Sequence, residues 1–259
     1  MIGSIYAVGA AGTGKSTFSA SLKEWMIAQG FDTAVANLDP GAEYLPYDAD
    51  FDIRDMISLS EVMSEYSLGP NGAQIVAADL LLENFQVMLK PLEEFDDYYV
   101  IFDTPGQIEL FAFRQAAPQL VDSLSGSRAT IAFVSDAVLA STPSGFVSQK
   151  LLYGAVVSRF FKPSMNVMNK SDLISDKEMD TIKEWEEDTD KLLEAYMDEK
   201  QKTDKSYFAG IIRAFSEINV AGKVIPVSSR DLLGFEDVYS SMSMSFTGGE
   251  DTDTSLQDD

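Results

Sequence analysis

The octapeptide Gly9-Ala10-Ala11-Gly12-Thr13-Gly14-Lys15-Ser16 joins freely bending backbone to one ammonium and one hydroxyl. An apolar stretch precedes it and an amphipathic pattern follows, the strand–loop–helix context in which Gly-x-x-x-x-Gly-Lys-Ser cradles phosphate. Glycines let backbone N–H groups turn inward toward phosphate oxygens at the positive end of the helix. Gly12, Thr13 and Gly14 would supply those donors, with Thr17 the next contact along the helix. Lys15 would reach the β and γ phosphates, and the Ser16 hydroxyl would ligate Mg²⁺. The competing reading, a glycine-rich turn with an exposed lysine, leaves the flanking strand and helix patterns unexplained.

Two further constellations lie downstream. Tyr98-Tyr99-Val100-Ile101-Phe102-Asp103 is an apolar run ending in a carboxylate, followed by Thr104-Pro105-Gly106-Gln107. Asp103 is placed to orient Mg²⁺ through a water, Gly106 lets backbone approach a γ-phosphate, and Gln107 stands where nucleotide switches keep a water-orienting residue. A strand-terminal aspartate on its own is more often a turn or cap. Asn169-Lys170-Ser171-Asp172 follows another apolar run, in the Asn-Lys-x-Asp pattern of guanine recognition. The Asp172 carboxylate can accept from the imino and amino groups of guanine, whereas adenine leaves it desolvated without partners. Lys170 can lay its stem along the base and Asn169 can brace the loop. Ser228 and Ser229, after the last apolar run, form a weaker match to a serine-rich loop near the base.

Composition narrows the alternatives. The 259 residues contain no cysteine and no histidine, which excludes disulfides, thiol nucleophiles, zinc fingers and imidazole-based hydrolysis. Lys plus Arg is 19 against 42 Asp plus Glu, a net charge of −23, so direct nucleic-acid or anionic-membrane binding is not expected. The opening MIGSIYAVG lacks the basic flank of a signal peptide, and no run approaches a membrane span. A cytoplasmic protein is expected.

The elements that must position these residues alternate between short apolar runs and helical patterns, the signature of βαβ units. Strands are expected at residues 2–8, 33–38, 98–102, 129–134, 165–168 and 223–227. The fold class is therefore α/β, a mostly parallel sheet with helices on both faces. Phe18, Leu22, Trp25 and Met26 give the first helix a core stripe. Ser58 with Glu61, and Ser175 with Glu178, have capping-box spacing. A helix after Gly72 is expected to bury Ile75, Ala78, Leu82, Phe85 and Leu89 and to stop before Pro91. One long charged helix is expected from Ser175 to about residue 199, and another over 206–217, forming an insertion at 175–217. Phe111, Phe113, Phe146, Leu151, Leu152, Phe160 and Phe161 are expected to serve the core. Residues 1–246 read as one domain and 247–259 as an acidic, disordered tail.

Asn37-Leu38-Asp39-Pro40-Gly41, Asp52-Ile53-Arg54-Asp55, Gly69-Pro70-Asn71-Gly72, Asp103-Thr104-Pro105-Gly106-Gln107-Ile108-Glu109 and Asn169-Lys170-Ser171-Asp172 occur in that order. In this the chain resembles the GPN-loop GTPases over roughly residues 2–246, and its length is more like that of the archaeal members. The resemblance implies a Mg²⁺-dependent GTPase that turns GTP into GDP and works as a homodimer. It further implies that the Gly69-Pro70-Asn71 loop enters the partner's site, that Asn71 contacts phosphate there, and that Asp39, Gln107 and Glu109 position the attacking water. From the residues alone, Asp39 reads rather as an Asx turn, Glu109 as a first-turn helix charge, and Arg54 as structural. By resemblance only, a protein client is implied, since eukaryotic relatives assist RNA polymerase assembly. Two alternatives are an ATP-dependent P-loop enzyme and an assembly or chaperone module whose hydrolysis is incidental. Partitioning-type ATPases carry a signature lysine where Ala10 stands, and neither they nor nucleotide kinases account for Asn-Lys-Ser-Asp; the assembly reading overlaps with that of a GTPase.

Overall fold

The computed structural model describes residues 1–199, 205–218 and 223–247. The expected tail, apart from Thr247, lies outside the described residues. Seven strands form one sheet in the order β3-β2-β4-β1-β5-β6-β7, every pairing parallel. They are β1 (Gly3–Val8), β2 (Thr33–Asn37), β3 (Phe51–Asp52), β4 (Tyr99–Asp103), β5 (Ala129–Asp136), β6 (Ser164–Asn169) and β7 (Val224–Pro226). The expected strands are present with ends moved by one or two residues. The two-residue β3 has too short a pattern to signal itself.

Every residue of β1, β2 and β4 is buried, as continuous apolar strands covered on both faces require. Alternation along β1 divides the core: Tyr6 and Val8 face a layer with Phe102, Phe111, Leu120 and Phe133, while Ile5 and Ala7 face Phe18, Leu22, Val35 and Phe235. Helix α1 (Lys15–Ala28) covers the second layer with Phe18, Leu22 and Met26.

Helices α2 (Leu59–Glu65), α3 (Pro70–Glu83) and α4 (Gln86–Leu92) connect β3 to β4. Ser58 caps α2 by accepting from the Glu61 N–H, and its hydroxyl also meets that of Ser60. At α3 the expectation holds for Ala78 and Leu82 and fails for Ile75 and Leu89. The helix starts at Pro70, so Pro-Asn-Gly forms its first turn, and it buries Ala73, Ala77, Ala78, Leu81 and Leu82. Ile75 and Leu89 are exposed. Close packing of Ala73 and Ala77 against Val62 of α2 sets the inward face, and the larger Ile75 is turned outward. Pro91 lies inside α4, as its penultimate residue.

Helices α5 (Ala117–Ser125), α6 (Ala137–Ala140) and α7 (Pro143–Phe160) flank β5. Leu151 is exposed, and so is Phe161, which takes a left-handed conformation just past α7; neither serves the core. Phe113 is exposed too, whereas Phe111, Phe146 and Phe160 are buried. The expected long helix is two, α8 (Asp176–Glu187) and α9 (Thr189–Asp198), because the Asp188 carboxylate accepts from the N–H groups of Asp190 and Lys191 and begins a new helix. Ser175 and Glu178 form the full reciprocal capping box. With α10 (Lys205–Ile218) these helices build a satellite core of Ile182, Trp185, Leu192, Tyr196 and Ile212 against Phe146 and Met168. Helix α11 (Phe235–Thr247) closes the described chain. No described helix is long and apolar enough to cross a membrane.

Register gathers the chemistry. Asp103 pairs with Ala7 on one side and Asn37 on the other, and Asp136 pairs with Asn169. All of these residues, and the loop after Val8, therefore emerge at the carboxyl edge of one sheet, where open α/β sheets bind ligands.

Candidate nucleotide site

The loop between β1 and α1 holds its shape by close approach. A Cβ on Gly9 would lie 2.3 Å from the Val134 carbonyl oxygen, and one on Gly14, at φ +88°, would lie 2.6 Å from Asn169 Nδ2. Lys15 is buried, and its Nζ donates to the carbonyls of Gly9 (2.9 Å), Ala10 (3.1 Å) and Gly106 (3.1 Å). Burial lowers its pKa, while Asp103 and Asp39 pull in the opposite direction.

Asp103, at the end of β4, is 1% exposed. Its Oδ2 accepts from the Tyr47 hydroxyl at 2.8 Å, and its Oδ1 is buried with no hydrogen-bond partner among the described residues. Burial raises its pKa to about 6, against the pull of the Ser16 and Tyr47 hydroxyls and the Lys15 ammonium. An unpartnered buried carboxylate oxygen beside a serine hydroxyl is a hard-oxygen donor set that fits Mg²⁺. No cluster of three or more acidic side chains among the described residues could cage a metal ion. A cation held here must therefore complete its shell with phosphate oxygens and water.

Asp39 makes the expected Asx turn, Oδ1 accepting from the Gly41 N–H at 2.9 Å, and also reaches the loop after β4, where Oδ2 accepts from the Gly106 N–H at 2.9 Å. One residue, Gly106, is thus held by Asp39 at its N–H and by Lys15 at its carbonyl. Asn37 positions Asp39 by accepting from its N–H at 3.0 Å. Gln107 and Glu109 are exposed at the start of the short turn Ile108–Leu110. Gly69, Pro70 and Asn71 are all exposed, and a Cβ on Gly41 would lie 3.0 Å from the Nε2 of Gln74, one turn further along α3. Arg54 is structural: it pairs with Asp52 and donates to the Ala42 carbonyl.

The second half of the site is braced from behind. Asn169 donates to the carbonyls of Thr13 (3.1 Å) and Gly14 (3.4 Å), and its Oδ1 accepts from the Ser229 hydroxyl at 2.8 Å. Lys170, in a left-handed conformation at φ 64°, donates to the Gly12 carbonyl and to Asp136 Oδ2, each at 2.6 Å. Ser228 lies 3.1 Å from Asp172. A cavity of about 280 Å³ opens among Thr17, Asp172, Leu173 and Arg230, floored by Gly14 and Asn169.

The structure therefore brings Lys15, Asp39, Asp103 and Gly106 together at one end, and Asn169, Lys170, Asp172, Ser228 and Ser229 at the other. Among the described residues, the side chains of Gln107, Glu109 and Asn71 form no hydrogen bond to either group. Sequence reasoning missed Tyr47, Asp136 and Gln149; the Gln149 carboxamide brackets the Asp136 peptide by accepting from its N–H (2.6 Å) and donating to its carbonyl (3.0 Å). Nothing in local spacing marks any of the three.

A family model described as "conserved hypothetical ATP binding protein" matches residues 7–247. The chain is similar to GPN-loop GTPase 3 of Eremothecium gossypii, 36% identical over 67% of this chain and 65% of that protein. It is also similar to GPN-loop GTPase QQT1 of Arabidopsis thaliana, 35% identical over 64% of this chain and 57% of the other. The matches thus span less than two thirds of these curated relatives. Among solved structures, a GTPase in apo form from Pyrococcus abyssi superimposes with a TM-score of 0.83 at 25% identity, over 95% of this chain and 98% of that one.

Proposed function

Because the chain belongs to the GPN-loop GTPase family, we propose that it binds GTP and hydrolyses it to GDP and phosphate as a cytoplasmic homodimer. The observation that carries the reading is the base loop. Asn169 ties it to the phosphate loop and to Ser229, which leaves the exposed Asp172 carboxylate at the mouth of a cavity adjoining Gly14 and Thr17. A carboxylate there suits the paired donors of guanine and rejects adenine. This favours GTP over the ATP of the family model's description.

In the bound state, backbone N–H groups of residues 12–16 hold the phosphates and the Lys15 ammonium exchanges its carbonyl partners for phosphate oxygens. Ser16 and, through a water, Asp103 would hold Mg²⁺, which supplies charge neutralisation on the β and γ phosphates. Gly106 turns its N–H from Asp39 toward the γ-phosphate. That frees Asp39 Oδ2 to join Gln107 and Glu109 in fixing a water, whose oxygen adds to phosphorus as the bond to the β–γ bridging oxygen breaks. Asn71 from a second copy would donate to the transferring group; the outward exposure of Gly69-Pro70-Asn71 supports this trans arrangement. Turnover of this kind serves a switch or assembly cycle with a protein client.

The test is binding of GTP, GDP and ATP to nucleotide-free protein in Mg²⁺, with molar mass measured on the same samples. Guanine-selective binding by a dimer is expected. Equal or tighter ATP binding would overturn the guanine assignment, and a monomer in every state would overturn the trans loop.

A further inference from the structure

Tyr47 lies in the segment between β2 and β3, outside every motif read from the sequence, yet its hydroxyl is 2.8 Å from Asp103 Oδ2. The segment carrying it is pinned at several points. Asp39 accepts from Gly106, the Ala42 carbonyl accepts from Arg54, and Asp50 Oδ2 accepts from both the Val35 N–H (2.7 Å) and Lys23 Nζ (2.6 Å). The Tyr47 ring packs against the core layer beneath α1. The hydroxyl is therefore delivered by a fixed frame, and it must donate, because an ionised carboxylate only accepts. The neighbouring Lys15 has its three donors on backbone carbonyls. The two oxygens of Asp103 are in consequence unequal: Oδ2 is tied, and Oδ1 is buried with no hydrogen-bond partner among the described residues.

We propose that Tyr47 is a positioning residue of the cation site, holding Asp103 Oδ2 so that Oδ1 alone faces the water shell of a divalent cation bound with the nucleotide. The inference rests on the GTPase reading above. A carboxylate side chain rotates between two broad, equivalent orientations. Tying one oxygen removes that freedom before the cation arrives, and a hydrogen bond that orients a ligand's carboxylate in this way raises metal affinity.

The experiment uses the full chain loaded with GDP. Mn²⁺ is titrated and followed by the loss of its free-ion electron paramagnetic resonance signal, and the release of a fluorescent GDP analogue is timed in Mg²⁺ and in EDTA. Tyr47→Phe keeps the ring and removes the hydroxyl. It is expected to bind Mn²⁺ about tenfold more weakly, the lower end for losing a hydrogen bond to a charged group. GDP release in Mg²⁺ should quicken correspondingly, while release in EDTA matches wild type. Tyr47→Leu should weaken Mn²⁺ no further than Tyr47→Phe. If the Phe variant binds Mn²⁺ like wild type and only the Leu variant is impaired, the role is packing and the inference fails. If the Phe variant binds Mn²⁺ more tightly, the hydroxyl competes with the cation and the inference also fails. Either failure leaves the GTPase reading standing, whereas wild-type protein that retains no guanine nucleotide would overturn that reading itself.

Discussion

Asp103 carries an energetic cost that its replacement should reveal. The side chain is 1% exposed and one of its oxygens has no hydrogen-bond partner among the described residues. Its pKa stands at about 6 in place of 3.8, because burial disfavours the charged form. The folded protein therefore binds this proton more tightly than the unfolded chain does. The sign follows: the site costs nothing below pH 3.8, costs progressively more as pH rises, and reaches its full penalty above pH 6. That displacement corresponds to about 3 kcal/mol at neutral pH and about half as much at pH 5. Asp103→Asn keeps the size, can still accept from Tyr47, and removes the charge. At about 2 °C per kcal/mol for a chain of this length, the metal-free, nucleotide-free variant should melt roughly 6 °C above wild type at pH 7.5. The gap should shrink to roughly 3 °C at pH 5. Differential scanning calorimetry in chelator at both pH values measures this, with wild type as the reference so that general acid effects on a chain of net charge −23 largely cancel. A variant no more stable than wild type at pH 7.5, or a gap that does not narrow at pH 5, would refute the assignment of that cost to the buried carboxylate.

Other expectations concern the two ends of the site. Asp172→Asn should weaken GTP by about tenfold to a hundredfold and favour xanthosine triphosphate, read by competition binding; an unchanged base preference would remove the guanine pocket. Asn71→Ala should slow single-turnover hydrolysis by about tenfold or more with little change in GDP affinity. In verified heterodimers of Asn71→Ala with Gln107→Ala, one of the two sites should regain activity, and no recovery would count against a trans loop. Gly9→Ala places a Cβ 2.3 Å from the Val134 carbonyl, where only backbone can give way. It should lose nucleotide binding and about 1–3 kcal/mol of stability in urea unfolding.

The phosphate loop and the base loop were legible because each is local: an apolar strand, a turn of small residues, then a helix. Capping at Ser175 was legible for the same reason. Where packing size decided, apolar character misled. Ile75 looked like core, yet α3 turns its alanines inward, since close approach of two helices rewards small side chains there. At Asp188 the carboxylate competed for backbone N–H groups and divided a helix whose charge pattern runs through the break. Tyr47 and Asp103 are 56 positions apart, Asp136 and Lys170 are 34 apart, and no periodicity connects either pair.

What connects them is the sheet register. Asp136 lies beside Asn169, which brings Lys170 against it, and Asn37 lies between Asp103 and Asp52, to which its side chain donates. The two ends of the site therefore share hydrogen-bonded supports. Asn169 holds the Thr13 and Gly14 carbonyls and Lys170 holds that of Gly12, while Lys15 and Asp39 both grip Gly106. On the reading proposed above, a nucleotide would meet at both ends a single loop whose Gly9, Ala10, Gly12, Thr13 and Gly14 carbonyls are held by Lys15, Lys170 and Asn169. Reorganising the phosphate loop therefore perturbs the groups that brace base recognition, and a substitution in the Asn169–Lys170 brace should change phosphate retention as well as base preference.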